Sequence, residues 1–371
     1  MRVDLPSGPY TFSGAGQEFV VPGKPFTSRV AYAAAHVVAD PLASGAPPVL
    51  DWDATLAFRQ HVWRHGFGVA EAMDTAQRGM GLDYPTSREL IHRSAREATG
   101  PVVAGVGTDQ LPAGPATLDQ VRRAYADQLA DVLAAGATPV LMCSRHLAAA
   151  ARSADDYLIV YSELIEQSDR PVLLHWLGEM FDPALAGYWG SSDLDSAMET
   201  VLTLCKGIDG VKLSLLDEAF EVRLRRRLPP GVRLYTGDDF HYPALIRGDE
   251  RGHSDALLGI FDAIAPVAAA ALRALDAADL DSYVRLFEPT VPLARHMFCT
   301  PTRYYKTGIV FLAWLAGHQN HFTMVGGLQS GRSARHLIEL CQLADRAGLL
   351  PDAELAAYRV RAYLTTVGVP Q

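Results

Sequence analysis

The sequence predicts a (β/α)8 barrel over about residues 28–262, with a short N-terminal extension and a C-terminal helical extension. Three observations predict it. Eight short apolar runs recur along the first two thirds of the chain. Helical segments lie between most of them. No G-x-G-x-x-G follows the first run, which weighs against a doubly wound sheet, the main alternative.

Residues 1–27 are rich in Gly and Pro and lack helical periodicity, and the alternation in TFSGAGQEFVVPG (11–23) predicts a small hairpin there. The apolar runs follow at 29–38, 66–73, 101–107, 138–143, 171–177, 210–216, 232–239 and 255–261. Each is too short for a typical helix and several are rich in β-branched residues, so they read as strands buried on both faces. Between them, 55–66 and 87–100 end in Gly, a helix C-terminal signal. Thr117 stands three residues before Gln120, a capping-box spacing for a helix over 117–136. Ser153 and two carboxylates suit the N-terminus of a helix over 153–167. From 263 to 371 the pattern is helical throughout, a region expected to pack on the barrel or on another subunit.

Composition narrows the function classes. Half the residues (49%) are hydrophobic, enough for a large core, and the net charge of −9 argues against a dedicated nucleic-acid binder, which needs a Lys/Arg excess. No apolar stretch is long enough for a membrane span and no signal-peptide core is read, so a cytoplasmic protein is expected. Cys143, Cys205, Cys299 and Cys341 are scattered, as expected of buried free thiols in a reducing compartment. The run GIVFLAWLAGH (308–318) suggests a partner surface, hence a homo-oligomer, dimer or tetramer, or else a cover for the barrel's own helices.

Barrel enzymes carry their chemistry at the C-terminal ends of the strands. Those ends present His36 and Asp40, then Glu71, Asp74 and Thr75, then Gly107 and Asp109, then Ser144 and His146. The fifth presents His175 and Glu179, the sixth Lys212, and the seventh Asp238, Asp239 and His241. Only four lysines occur among 33 basic residues, and Lys212 alone lies on a predicted strand, inside GVKLSLL. A lysine in the barrel interior would have a lowered pKa and a nucleophilic amine able to form an imine with a ketone or aldehyde. At a strand edge its amine would instead reach water.

The strand GVKLSLLDEA resembles the lysine strand of the dihydrodipicolinate synthase/N-acetylneuraminate lyase superfamily. PVVAGVGTD, AAGATPVLMCS, RPVLLHWLGEMF, RLYTGDD and YYKTGIVFLAWLAG are similar to further segments in the same order, so the resemblance covers about residues 28–345. It implies a Schiff-base lyase, aldolase or dehydratase with no cofactor, acting on a small carbonyl substrate such as a keto acid or keto-sugar. It puts the imine lysine at Lys212 and the proton-transferring position of strand five at His175, where the family has a tyrosine.

The departures bear on substrate. The family turn that holds a keto-acid carboxylate appears as MDTAQRGM, with Asp74 and Thr75. The tyrosine pair after strand four appears as SRHL, placing His146 there. Glu179 stands near where some members have an arginine. These changes favour a neutral or polyhydroxylated carbonyl compound, with Asp74, Thr75, His146, Glu179, Asp239 and His241 as substrate-binding candidates. Two alternatives stay open: a metal-dependent barrel aldolase or isomerase using the His and carboxylate groups at the strand ends, and a carbonyl-binding protein without turnover. The basic run RLRRRL (223–228) is read as a solvated face or subunit contact, GGLQSGRS (326–333) as a loop, and Lys306 as structural or helix-surface.

Overall fold

Strands buried on both faces read as continuous apolar runs, and each of the eight runs holds one barrel strand. The computed structural model describes residues 1–14, 23–43 and 47–369. An antiparallel hairpin, β1 (Arg2–Leu5) and β2 (Gly8–Thr11), precedes the barrel. The hairpin predicted at 11–23 falls mostly outside the described residues. The barrel strands are β3 (Ala31–Ala34), β4 (Gly68–Glu71), β5 (Val102–Val106), β6 (Thr138–Leu141), β7 (Leu173–Leu177), β8 (Gly210–Ser214), β9 (Arg233–Thr236) and β10 (Asp255–Leu258). Each pairs in parallel with the next, and β10 closes on β3, so the fold is a (β/α)8 barrel.

Side chains alternate across each strand. Leu174 and Trp176 of β7 and Val211 and Leu213 of β8 face the surrounding helices. The opposite row faces the barrel axis, where Leu173 and Tyr235 pack with Ala34, Val103 and Leu257. In that inward row His175 pairs with Lys212, and Lys212 with Tyr235. Register therefore places the imidazole and the amine side by side on the inner wall.

Helix ends follow local chemistry. Thr117 caps the helix Leu118–Ala134 and exchanges both capping-box bonds with Gln120. Gly66 lies just beyond the helix Trp52–Arg64 at φ +94°. The helix Tyr84–Glu97 stops at Ala98, two residues before the predicted Gly100, with Ala98 in extended backbone. Asp83, outside the predicted span, caps its N-terminus through the Thr86 amide.

After β10 the helix Ile260–Asp276 packs on β3. The helices Leu280–Phe287, Thr290–Met297, Tyr305–Leu315, Ala334–Arg346 and Ala353–Thr366 follow. Their apolar faces share one core with Val3, Leu5 and Phe12 of the N-terminal segment. Every residue of Tyr305–Leu315 is buried, as befits a helix apolar on all sides. That helix is a spoke of the fold whose first residues reach the mouth of the barrel. The RLRRRL arginines are all ion-paired, Arg223 to Asp195, Arg225 and Arg226 to Asp249, and Arg227 to Glu199, and of the four only the Arg225 side chain is buried. All four cysteines are free, Cys205 and Cys341 buried, Cys143 and Cys299 half-buried. Among the described residues no helix is long and apolar enough to cross a membrane.

Candidate active site

The C-terminal ends of the strands open into a vestibule of about 800 Å³. Beneath it, a chamber of about 20 Å³ is lined by Lys212, His175, Asp74, Thr75, Asp239 and Tyr305, among others. That volume holds about one water molecule. Asp74, His175, Leu177 and Phe181 line both spaces.

Lys212 is 7% exposed, and among the described residues its amine has no hydrogen-bond or ion-pair partner. Burial pulls the amine down to about 8, against the opposing pull of Asp239 and Asp74. Burial also pushes the Asp239 carboxyl up to about 8, opposed by the Ile260 amide, which donates to it at 2.8 Å, and by Lys212. Lys212 and Asp239 thus compete for a proton in one dry space. Gly237 makes the room: a Cβ there would lie 2.1 Å from Ser214 Oγ and 3.1 Å from Lys212 Cε.

His175 is buried, with Nε2 3.2 Å from Ser214 Oγ and Nδ1 without a hydrogen-bond partner among the described residues. Burial, then the Lys212 charge, holds it well below the usual histidine range, so the ring is neutral. The Thr75 hydroxyl pairs with Tyr305 at 2.7 Å.

Asp74 opens the short 3-10 turn Asp74–Ala76 after β4. Lys306 donates to its Oδ1 at 2.9 Å, and Oδ2 is buried with no hydrogen-bond partner among the described residues. Lys306 is fully buried, 5.2 Å from the Tyr305 ring centre. The helix-surface reading of Lys306 is overturned, because its helix is enclosed on every side and delivers the ammonium to the barrel mouth.

The remaining candidates divide. His146 lines the vestibule, with Nε2 donating to the Pro112 carbonyl at 3.1 Å and Nδ1 3.1 Å from Thr108 Oγ1. Glu179 is exposed in the turn after β7 and lines neither space. His241 also lies outside both, its Nδ1 bonded to Asp238 at 2.9 Å. His36 is tied to Asp262 at 2.8 Å, and Glu71 forms a fully buried pair with Arg59 at 2.7 Å. The donors a metal would need are therefore spread over separate pairs. Among the described residues no three His, Cys, Asp or Glu gather as a metal site.

Tyr305 and Lys306 are the site residues that the strand pattern does not reveal. Their only sequence signal is YYK at the head of an all-apolar helical run.

A search of curated proteins finds no match in sequence. The fold is that of solved dihydrodipicolinate synthase family structures, as the sequence motifs suggested. The Escherichia coli K12 prophage protein YagE, a member of that family solved with pyruvate, matches with TM-score 0.66 at 17% identity, over 85% of this chain and 98% of its own. Dihydrodipicolinate synthase from Aquifex aeolicus matches with TM-score 0.65 at 13% identity, over 87% and 99%. The Bacillus anthracis enzyme DapA-2 matches with TM-score 0.64 at 15% identity, over 86% and 98%. In sequence, a family model described as "Protein of unknown function (DUF993)" matches residues 9–369, and the chain belongs to that family.

Proposed function

We propose that the protein is a Schiff-base lyase, an aldolase or dehydratase, whose Lys212 condenses with a neutral, hydroxylated carbonyl substrate. The observation that carries the reading is a desolvated, unpartnered lysine amine in a small chamber beneath a large vestibule. Desolvation lowers the proton affinity of this amine, so more of it is neutral near pH 7 than of an ordinary lysine, and nucleophile is available there.

The chemistry follows from the lining. The iminium at Lys212 draws electrons from the neighbouring carbon. The neutral His175 accepts the proton of the substrate hydroxyl as the C–C bond breaks, and returns it to the enamine carbon. Elimination of water would pass through the same iminium.

The substrate class follows from charge. The Lys306 ammonium is spent on Asp74, and Lys212 is the reacting group, so no cation in the chamber is free to hold a carboxylate beside the carbonyl. In the vestibule Arg78 and Arg145 are paired with Asp109 and Asp182, whereas Arg303 has no carboxylate partner among the described residues. The chamber therefore suits a carbonyl flanked by hydroxyl groups and not by a carboxylate. Intact-mass measurement after borohydride reduction tests this. Dihydroxyacetone should saturate the enzyme at lower concentration than pyruvate, and preferential capture of pyruvate would overturn the proposed substrate class.

The pH profile has a signed expectation. Lys212 must be neutral to attack, so kcat/KM for imine formation should rise tenfold per pH unit and level off near 8. Asp239 raises the amine's pKa, so Asp239→Asn should move this limb to lower pH. An unmoved or upward-shifted limb would contradict the coupling.

A further inference from the structure

We infer that Tyr305, acting through the Thr75 hydroxyl, is the catalytic acid for chemistry at Lys212, an inference that rests on the imine reading above. Imine formation needs an acid. When the amine attacks, the carbonyl π pair moves to oxygen, and that oxygen must receive protons before it can leave as water. The neutral His175, held well below the usual histidine range, is suited to accept a proton. Tyr305 has the opposite character: burial, with the Asp74 charge next, holds its phenol well above the usual tyrosine range. Two groups in one site whose environments push them apart in this way divide into base and acid.

The geometry places the phenol for this work. Its ring is stacked on Phe298 with centroids 4.3 Å apart and meets Phe181 edge-on at 6.1 Å. Its hydroxyl is 2.7 Å from Thr75 Oγ1. Tyr305, Thr75 and Lys212 all border the same water-sized chamber. The Lys306 ammonium lies 5.2 Å from the ring centre.

The proton balance closes. Lys212 attacks the carbonyl carbon, the C–N bond forms, and Thr75 passes its proton to the new alkoxide while taking the proton of Tyr305. The phenolate recovers a proton from the new ammonium nitrogen by the same route, leaving a neutral carbinolamine. A second transfer from Tyr305 expels the hydroxyl as water while the nitrogen lone pair forms the iminium. The phenolate then faces the iminium as its counter-charge. It regains its proton when water adds to the product imine.

The test is the time course of borohydride-trapped adduct with dihydroxyacetone, read by intact mass. Tyr305→Phe keeps both ring contacts and loses only the hydroxyl. Its adduct should form about 100-fold more slowly and reach the wild-type extent. Thr75→Val should slow formation similarly, Thr75→Ser should remain near wild type, and the double variant Tyr305→Phe/Thr75→Val should be no slower than the slower single. Equal rates for wild type and Tyr305→Phe would overturn the acid role while leaving the imine reading standing. Absence of any adduct in the folded wild type would overturn both.

Discussion

A Lys212→Met variant is expected to lose turnover by at least about 10⁴-fold, the order of loss when a covalent nucleophile is removed. The same substitution should leave the fold intact. Burial opposes the charge of this ammonium, as its lowered pKa records, and the amine makes no hydrogen bond or ion pair among the described residues that methionine would break. Methionine matches the stem in length and suits a dry wall. Asp239, already driven toward its neutral acid, loses an attracting neighbour and stays protonated to higher pH. The expected pattern is lost turnover with unchanged or slightly increased resistance to urea. Lost turnover with a collapsed fold would show instead that Lys212 is a structural residue. Retained turnover would remove it from the chemistry.

The second large effect falls on stability. Asp74→Ala should destabilise the protein by about 3–5 kcal/mol, because it leaves an ammonium in a dry interior without its counter-ion. Lys306 is fully buried, and its other close neighbours are the Met80 sulfur at 3.2 Å and the Tyr305 ring. Lys306→Met should cost less, because the Asp74 side chain keeps 24% of its exposure and can recover water. The double variant should recover much of the loss, since it leaves neither charge unpaired. Urea unfolding of the four proteins closes the cycle. Additive losses would show that the two side chains do not act as a pair.

The barrel was legible because its physics is local. A parallel strand covered on both faces must be apolar along its length, so β3 to β10 each announce themselves as a run. Lys212 was legible for the same reason, as the one ammonium in such a run. Asp74, Thr75, Asp239 and His175 follow from the rule that strand ends face the mouth, and all four border the chamber. The rule gives less once the chain leaves the strand. Glu179 lies two residues beyond β7, in a turn that carries it to the surface. His241 lies five beyond β9, where Asp238 holds its ring outside both spaces. Strand periodicity does not extend into such turns, so it cannot aim their side chains.

Tyr305 and Lys306 were illegible for the converse reason. They reach the mouth through packing between a C-terminal helix and the barrel, not through strand register. Sequence separation of 230 residues lies between Thr75 and the phenol that it bonds. An apolar run with a lysine at its head looks the same whether the helix covers a partner or fills the molecule's own core. Packing decides for the core, and it turns a presumed surface cation into the counter-ion of Asp74. Thr75, expected from its turn as a substrate-binding group, bonds Tyr305 instead.

The central claim is that the Lys212 amine forms an imine with a hydroxylated carbonyl compound. Peptide-resolved mass spectrometry of the enzyme reduced with borohydride in the presence of dihydroxyacetone tests it most directly. The account predicts a reduced adduct on the peptide carrying Lys212 and none on those carrying Lys24, Lys206 or Lys306. No adduct, or one spread evenly over the four lysines, would contradict it.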